Sequence, residues 1–159
     1  MSDKVVVDAS LAAMWALAEE FSIHALHLAG LWAASNTKLL TPALMLAEVN
    51  NAIYKRVTRK ELTLANAKAA FEVILAFPFE VRDSLSLQIR ALEMAEELRR
   101  PATYDCQYLA LAELEGCEMW TGDKRLFHAV RNTLSWARWV GDIQLPKKTA
   151  PKENEFDQR

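Results

Sequence analysis

Four acidic residues occupy positions in the sequence where a buried or functional carboxylate is expected. Asp8 directly follows a run of three valines, and Asp123 follows a short apolar segment that ends in a Thr-Gly pair. Glu48 and Asp105 lie in stretches whose apolar residues recur at helical spacing, which puts both acids on the apolar faces of their helices. Burial of an unpaired carboxylate costs several kcal/mol. Each of these side chains therefore needs a partner charge or a metal ion.

The placement of the four acids predicts a metal centre. Ligands of a parallel α/β sheet bind at the carboxyl ends of its strands. Two of the acids directly follow predicted strands, and the other two lie on inward helix faces that can meet the same edge. An all-oxygen donor set suits Mg²⁺ or Mn²⁺, ions that keep several waters and favour phosphate-bearing substrates. The chemistry predicted for Asp8, Glu48, Asp105 and Asp123 is metal-assisted hydrolysis of phosphodiesters, with the acids serving as ligands and base.

Each acid also has a simpler explanation when it is taken alone. Asp8 could cap the helix that follows it, and Asp123 could close a turn or cap a helix in the same way. Glu48 could form a buried ion pair with an arginine. Asp105 could interact with the positive end of its helix. The metal-site prediction depends on the convergence of all four acids at one sheet edge.

The pattern along the chain predicts an α/β fold in which helices alternate with short strands. Strands are predicted at residues 5–7, 39–40, 79–81, 118–120 and 139–140, and helices at 11–18, 23–34, 42–57, 64–75, 83–98 and 104–114. Ser10, Thr41 and Thr103 are predicted helix caps, and Gly116 a left-handed helix terminator. This order favours an α/β/α sandwich around a parallel sheet of four or five strands.

The length and composition indicate one domain. The chain has 159 residues, of which 52% are hydrophobic and 25% charged, enough for one sizeable core. We expect the domain at residues 1–145 and a polar, disordered tail at residues 146–159. The longest apolar run, residues 11–18, is shorter than the roughly 18 residues of a membrane span, so no membrane contact is expected. Asp3 and Lys4 precede only three valines and then Asp8, a pattern unlike a signal peptide, so a cytoplasmic protein is expected. Cys106 and Cys117 are expected as reduced core thiols.

The charge balance limits how nucleic acid could bind. A net charge of −2 disfavours a generally basic binding surface, so any polyanion must bind a local patch. Lys124 and Arg125 beside Asp123 form one such patch and are predicted to bind substrate. A second cluster lies at the end of the Glu48 helix and could equally be a solvated helix face: Lys55, Arg56, Arg59 and Lys60.

Four segments of the chain together resemble the PIN-domain ribonucleases, especially the VapC-like toxins of prokaryotic toxin–antitoxin pairs. These segments are residues 6–10, 42–52, 104–112 and 121–126, and their order and spacing carry the resemblance. It implies a single PIN-like domain and a metal-dependent endoribonuclease. It also implies an RNA substrate, a cognate antitoxin and a homodimer, with Trp15, Trp32 and Phe71 as candidate interface residues.

The resemblance also implies roles for individual residues. Asp8 and Asp105 correspond to direct ligands of Mg²⁺ or Mn²⁺, while Glu48 and Asp123 would act through water or a second ion. The hydroxyls of Ser10 and Thr121 would orient ligands or the scissile phosphate, although either residue could simply cap a turn.

Two other classes of protein are alternatives to the nuclease. One is a noncatalytic PIN-like interaction domain that has kept the acidic pocket. The other is a receiver-like phosphoacceptor, which is disfavoured because paired acids should follow its first strand and Asp8 is followed by Ala9 and Ser10. His24 and His27 have the spacing of a zinc pair on a helix, but no cysteine or acid motif accompanies them.

Overall fold

A five-stranded sheet organises the part of the chain that the structure, a computed structural model, describes, namely residues 3–146. Its strands are β1 (Lys4–Val7), β2 (Lys38–Thr41), β3 (Phe79–Val81), β4 (Glu118–Thr121) and β5 (Ala137–Trp139). All neighbouring strands pair in parallel, in the order β3-β2-β1-β4-β5. The predicted parallel sheet is therefore confirmed, with five strands. The tail predicted at residues 146–159 lies outside the described residues apart from Pro146.

The strand order creates a crevice between the two central strands. Strands β2 and β3 extend the sheet on one side of β1, and strands β4 and β5 extend it on the other side. Val7 pairs with Trp120, and the backbone N–H of Asp8 continues the ladder to the carbonyl of Trp120. Such a reversal of strand order opens a ligand crevice at the carboxyl edge of the sheet. Asp8 lies at that crevice.

Helices cover the sheet in two groups. Within residues 3–146 the helices are α1 (Ala9–Ala13), α2 (Ser22–Ala34), α3 (Leu44–Thr58), α4 (Leu64–Leu75), α5 (Leu85–Glu97), α6 (Tyr104–Glu115), α7 (Lys124–Val130) and a 3₁₀ turn (Val140–Asp142). One group packs α1 against α3 and α3 against α4, and the other packs α5 against α6, which lies on β1 and β4. This arrangement is the predicted α/β/α sandwich.

The core lies at the central strands. Val6, Val7 and Met119 are fully buried, and burial of each such side chain stabilises the fold by roughly 1.5–3 kcal/mol. Cys106 and Cys117 are free and buried, as predicted. No helix within residues 3–146 has both the length and the hydropathy to cross a membrane.

The first helix is capped by a different residue from the one predicted. The carboxylate of Asp8, and not the Ser10 hydroxyl, accepts the hydrogen bond from the backbone N–H of Leu11, so Asp8 is the N-cap. Ser10 lies inside α1 and donates to Asp8 instead. The helix ends at Ala13, five residues earlier than expected.

Of the other two predicted threonine caps, Thr41 is wrong, and Thr103 is the N-cap residue of α6 without a side-chain hydrogen bond. Thr41 is the last residue of β2, and its hydroxyl donates to the carbonyl of Val7 on the neighbouring strand. Thr103 precedes α6 with a helical backbone and makes no capping hydrogen bond. The prediction of Gly116 is confirmed, because it ends α6 at φ +64°. Strand β5 comes two residues earlier than expected, and Val140 belongs to the 3₁₀ turn.

Candidate active site

Asp8 is a buried carboxylate surrounded by hydrogen-bond donors. Its side chain accepts from the Ser10 hydroxyl (2.7 Å) and the Leu11 N–H (2.8 Å) on Oδ1, and from the Thr121 hydroxyl (2.5 Å) on Oδ2. Burial raises the pKa of Asp8 to about 6, and these hydrogen bonds work in the opposite direction. The donors thus hold an ionisable group in an apolar surrounding, where its charge changes just below neutral pH.

The two hydroxyls next to Asp8 join separate parts of the chain. The Ser10 oxygen accepts from the N–H of Gly122, and the Thr121 oxygen accepts from the N–H of Asp123, each at 2.9 Å. A Cβ atom on Gly122 would lie 3.0 Å from the backbone of Ser10. The turn after β4 therefore fits tightly against the start of α1, and only glycine allows this approach without a shift.

Glu48 lies half-buried on α3 and has a tyrosine as its partner. The hydroxyl of Tyr108 donates to its Oε2 at 2.5 Å. Burial raises the pKa of Glu48, the hydrogen bond from Tyr108 opposes this, and the charge of Asp105 adds to the rise. Among residues 3–146, the salt bridges do not include Glu48, so the alternative of an arginine ion pair is wrong for this residue.

Asp105 has the arginine partner instead. Nη2 of Arg100 lies 3.1 Å from Oδ2 of Asp105, whose side chain is 42% exposed. Asp105 thus lies at the edge of the site rather than on a fully apolar helix face. The loop that precedes α6 places Arg100 next to the Asp105 carboxylate. The Asp105 carboxylate interacts with the positive charge of Arg100 in the structure.

Asp123 is exposed and caps a helix. Its Oδ1 accepts from the N–H groups of Arg125 (2.8 Å) and Leu126 (3.2 Å) at the start of α7. This is the simpler role considered for Asp123 in the sequence. Its carboxylate nevertheless faces the same region as the other three acids.

All four acids line one cavity of about 310 Å³ at the carboxyl edge of the sheet. Ser10 and Tyr108 also line it, as do Met14 and Glu19. Thr121 does not line the cavity and contributes to the site through its hydrogen bond to Asp8. The structure therefore brings the predicted acids together, while their roles as ligands and base remain predictions.

The donors suit a divalent cation but do not form a ready-made cage. Within residues 3–146, no group of three or more His, Cys, Asp or Glu side chains is close enough to hold a metal ion. Mg²⁺ commonly binds through only one or two protein carboxylates, its own waters and substrate phosphates. The oxygen donors of this cavity fit that chemistry, with Asp8 and Asp105 as candidate direct ligands.

The predicted substrate-binding residues lie at the start of α7, next to Asp123. Lys124 and Arg125 are exposed, and Nζ of Lys124 lies 5.0 Å from the centre of the Trp139 ring. In the second basic cluster, Arg56 is already engaged in ion pairs with Glu19 and Glu61. Lys124 and Arg125 do not themselves line the cavity, and their role in substrate binding remains a prediction.

Three residues of the site did not follow from the sequence. Tyr108 lies among the apolar residues of α6, although its position three residues after Asp105 on one helix face is a usable signal. Arg100 follows the helix predicted at residues 83–98, and no local pattern indicates its pairing with Asp105. Glu19 lies in the loop after α1, which the sequence predicted to be helical up to residue 18.

Comparisons with known proteins agree with this architecture. The family model of the PIN domain matches residues 5–132. A comparison with curated proteins found no match. Among solved structures, PAE2754 from Pyrobaculum aerophilum is similar with a TM-score of 0.65 and 25% identity, over 87% of this chain and 84% of that one. VapC20 of Mycobacterium tuberculosis, a toxin that cleaves the sarcin-ricin loop, is similar in fold with a TM-score of 0.58 and 19% identity, over 79% of this chain and 94% of that one.

Proposed function

The chain belongs to the PIN domain family, whose members are generally nucleases, and on that premise we propose that it is a Mg²⁺- or Mn²⁺-dependent endoribonuclease acting as the toxin of a toxin–antitoxin pair. The observation that carries the proposal is the cavity at the carboxyl edges of β1 and β4, which is lined by Asp8, Glu48, Asp105 and Asp123. A bound divalent ion would supply an activated water and offset charge on the phosphate.

The residues of the chain would divide the remaining work. Asp8 and Asp105 would hold the ion, and Glu48 and Asp123 would act through water or a second ion. Ser10 and Thr121 keep the Asp8 carboxylate in one orientation through their hydrogen bonds. Lys124 and Arg125 would contact phosphates of the RNA, which fixes the position of the chain to be cut without reading its sequence.

Asp8→Asn tests the activity. Purified wild type and variant are incubated with mixed cellular RNA in Mg²⁺, in Mn²⁺ and in EDTA. We expect cleavage by wild type only with a metal ion, and a loss of at least about 100-fold in the variant, because a metal ligand is removed while side-chain volume is kept. Equal cleavage by both proteins would assign the activity to a contaminant or to another site.

One observation favours the alternative, a noncatalytic interaction domain. Asp105 is neutralised by Arg100 within the chain, so the acidic cavity can persist without a metal ion. Absence of metal-dependent cleavage, together with binding of a partner protein at the cavity, would support this alternative.

The proposed antitoxin would bind across the same cavity with an arginine or lysine among the four acids. A guanidinium forms short charge-assisted hydrogen bonds with carboxylates and can replace the charge of a metal ion. The test is titration calorimetry of the chain with the product of a neighbouring small gene, with and without millimolar Mg²⁺, using wild type and Glu48→Gln. Affinity that is indifferent to the metal and to the substitution would mean that the inhibitor binds elsewhere.

Two of the three aromatic residues that the sequence suggested for the proposed homodimer are too buried to form an interface. Trp15 and Trp32 are 5% and 3% exposed and belong to the core. Exposed apolar side chains follow one another at helical spacing on α5, namely Leu85, Ile89 and Leu92. Sedimentation at micromolar concentration tests the pairing, and a Leu85→Glu, Leu92→Glu variant tests this face.

A further inference from the structure

Tyr108 makes a contact that neither its helix nor the core requires. It is 2% exposed and lies on α6 one turn after Asp105. Its hydroxyl donates a hydrogen bond to Oε2 of Glu48 on α3. A phenylalanine would fill the same volume. The hydroxyl, in contrast, is unfavourable to bury without a hydrogen-bond partner. The proton of this hydroxyl is satisfied at this position because Glu48 accepts its hydrogen bond.

The same hydroxyl lies where three segments of the site meet. Burial and the charges of Glu48 and Asp8 raise the pKa of Tyr108, and the backbone N–H of Ala9 opposes that rise. The phenol thus interacts with Asp8 and Ala9 at the start of α1 and with Glu48 on α3, while its own backbone belongs to α6. Because these segments are distant in sequence, a single side chain that contacts all three can fix their relative positions.

The hydrogen bond from Tyr108 uses one of the two carboxylate oxygens of Glu48 and leaves the other free to bind a ligand. Among residues 3–146, Oε2 accepts from Tyr108, and Oε1 has no hydrogen-bond partner. A half-exposed glutamate on a helix can adopt several rotamers, and a charge-assisted hydrogen bond from a rigid buried phenol favours one of them. The second oxygen is then held at the cavity that Glu48 and Tyr108 line together with Asp8.

We propose that Tyr108 is a positioning residue, whose hydroxyl holds the Glu48 carboxylate in place for a metal ion or its bound water at the acidic cavity. The inference rests on the proposed nuclease function. Tyr108 acts only through Glu48 and does not itself touch the substrate. Partners of this kind, which orient a ligand without binding the metal, typically change metal affinity or activity by roughly 10–100-fold when they are removed.

The test compares Tyr108→Phe with a matched control on the same helix, Tyr104→Phe. Tyr104 is 58% exposed and does not line the cavity, so loss of its hydroxyl should change nothing. Two quantities are measured for each protein. One is the affinity for Mn²⁺ alone, by electron paramagnetic resonance titration, and the other is kcat and KM on an oligoribonucleotide that wild type cuts.

We expect Tyr108→Phe to bind Mn²⁺ about 10-fold more weakly and to lose about 10-fold in kcat, with KM within about twofold of wild type. Circular dichroism and thermal melting report whether the variant folds as wild type does. The substitution is then repeated in a Glu48→Gln background. A side-chain amide is a much poorer metal ligand than a carboxylate, so its orientation no longer matters and Tyr108→Phe should cause no further loss.

Three results would overturn the proposal in distinguishable ways. Wild-type Mn²⁺ affinity and kcat in Tyr108→Phe would show that the hydroxyl has no positioning role, while the nuclease function stands. An equal loss in the Glu48→Gln background would show that Tyr108 acts independently of Glu48. A wild-type protein that neither binds Mn²⁺ nor cleaves RNA would remove the nuclease function itself, and the role of Tyr108 with it.

Discussion

Thr121 donates a hydrogen bond of 2.5 Å to the carboxylate of Asp8, although 113 residues separate the two in the sequence. The contact follows from the sheet, because β1 and β4 are parallel neighbours and Val7 pairs with Trp120. The residues that follow this pair therefore lie side by side at the carboxyl edge. The ionisation of Asp8 consequently depends on a residue of another strand.

Thr121→Val should raise the pH below which the site loses its affinity for a metal ion. Burial raises the pKa of Asp8 to about 6, and the bond from Thr121 is the largest of the contributions that lower it. Without that bond the charged form loses a donor, and the pKa rises further. Since a metal ion needs the ionised carboxylate, Mn²⁺ binding in wild type should fall below about pH 6, and in the variant at a higher pH.

The measurement is Mn²⁺ affinity between pH 5 and 8 for wild type, Thr121→Val and the control Thr133→Val. Thr133 is exposed and lies outside the cavity, so its variant should follow the wild-type curve. A Thr121→Val curve that coincides with wild type would mean that the hydroxyl does not stabilise the charge of Asp8.

Asp8→Asn should stabilise the metal-free protein at neutral pH. The pKa of Asp8 rises from its ordinary 3.8 to about 6 on folding, so the folded state binds the proton more tightly than the unfolded state. Wild type therefore loses stability as pH rises from about 4 to about 6, by about 3 kcal/mol in total. Asparagine carries no charge and avoids this loss, and its amide can donate to the Thr121 oxygen.

Chemical unfolding in EDTA at several pH values checks this prediction. The free energy of unfolding of Asp8→Asn should exceed that of wild type at pH 7.5, and the difference should shrink towards pH 4. A variant that is less stable at all pH values would indicate that the three hydrogen bonds to the carboxylate outweigh its desolvation.

Much of the fold and the position of the acids could be predicted because they depend on local patterns. The valines before Asp8 and the turn before Asp123 mark two strand ends, and alternation of strands with helices makes the sheet parallel. Parallel strands bring their carboxyl ends to one edge, so convergence follows without knowledge of any contact. The inward position of Glu48 follows from helical periodicity in the same way.

The partners of the acids could not be predicted, because they depend on how distant segments pack. Glu48 and Tyr108 are 60 residues apart, and Arg100 reaches Asp105 through the course of a loop. The misplaced cap at Thr41 has a similar cause, since pairing with Val81 of β3 extends β2 through Thr41 and the helix starts later. Local capping preference is weaker than a strand ladder and a bond to a neighbouring carbonyl.

Arg100→Gln should strengthen metal binding. In the structure the guanidinium of Arg100 interacts with Oδ2 of Asp105, so a cation that binds this carboxylate has to displace it. Glutamine keeps much of the side-chain length but removes the charge. We expect a rise of a few-fold in Mn²⁺ affinity, measured by calorimetry beside the exposed neighbour variant Arg99→Gln. A fall in affinity would show instead that Arg100 holds Asp105 in its binding position.

Lys124 and Arg125 should contribute to RNA binding but not to the chemical step. Both are exposed beside Asp123, and phosphate contacts of this kind bind all sequences alike. For Lys124→Gln, Arg125→Gln we expect a higher KM with kcat unchanged. The slope of log affinity against log salt should become less steep by about 0.7 for each lost contact to single-stranded RNA. The control Lys68→Gln, Arg99→Gln removes the same charge away from the cavity. If both double variants keep the wild-type slope, Lys124 and Arg125 do not contact RNA phosphates. Lys124 then only packs over the Trp139 ring, and the RNA must reach the acids by another path.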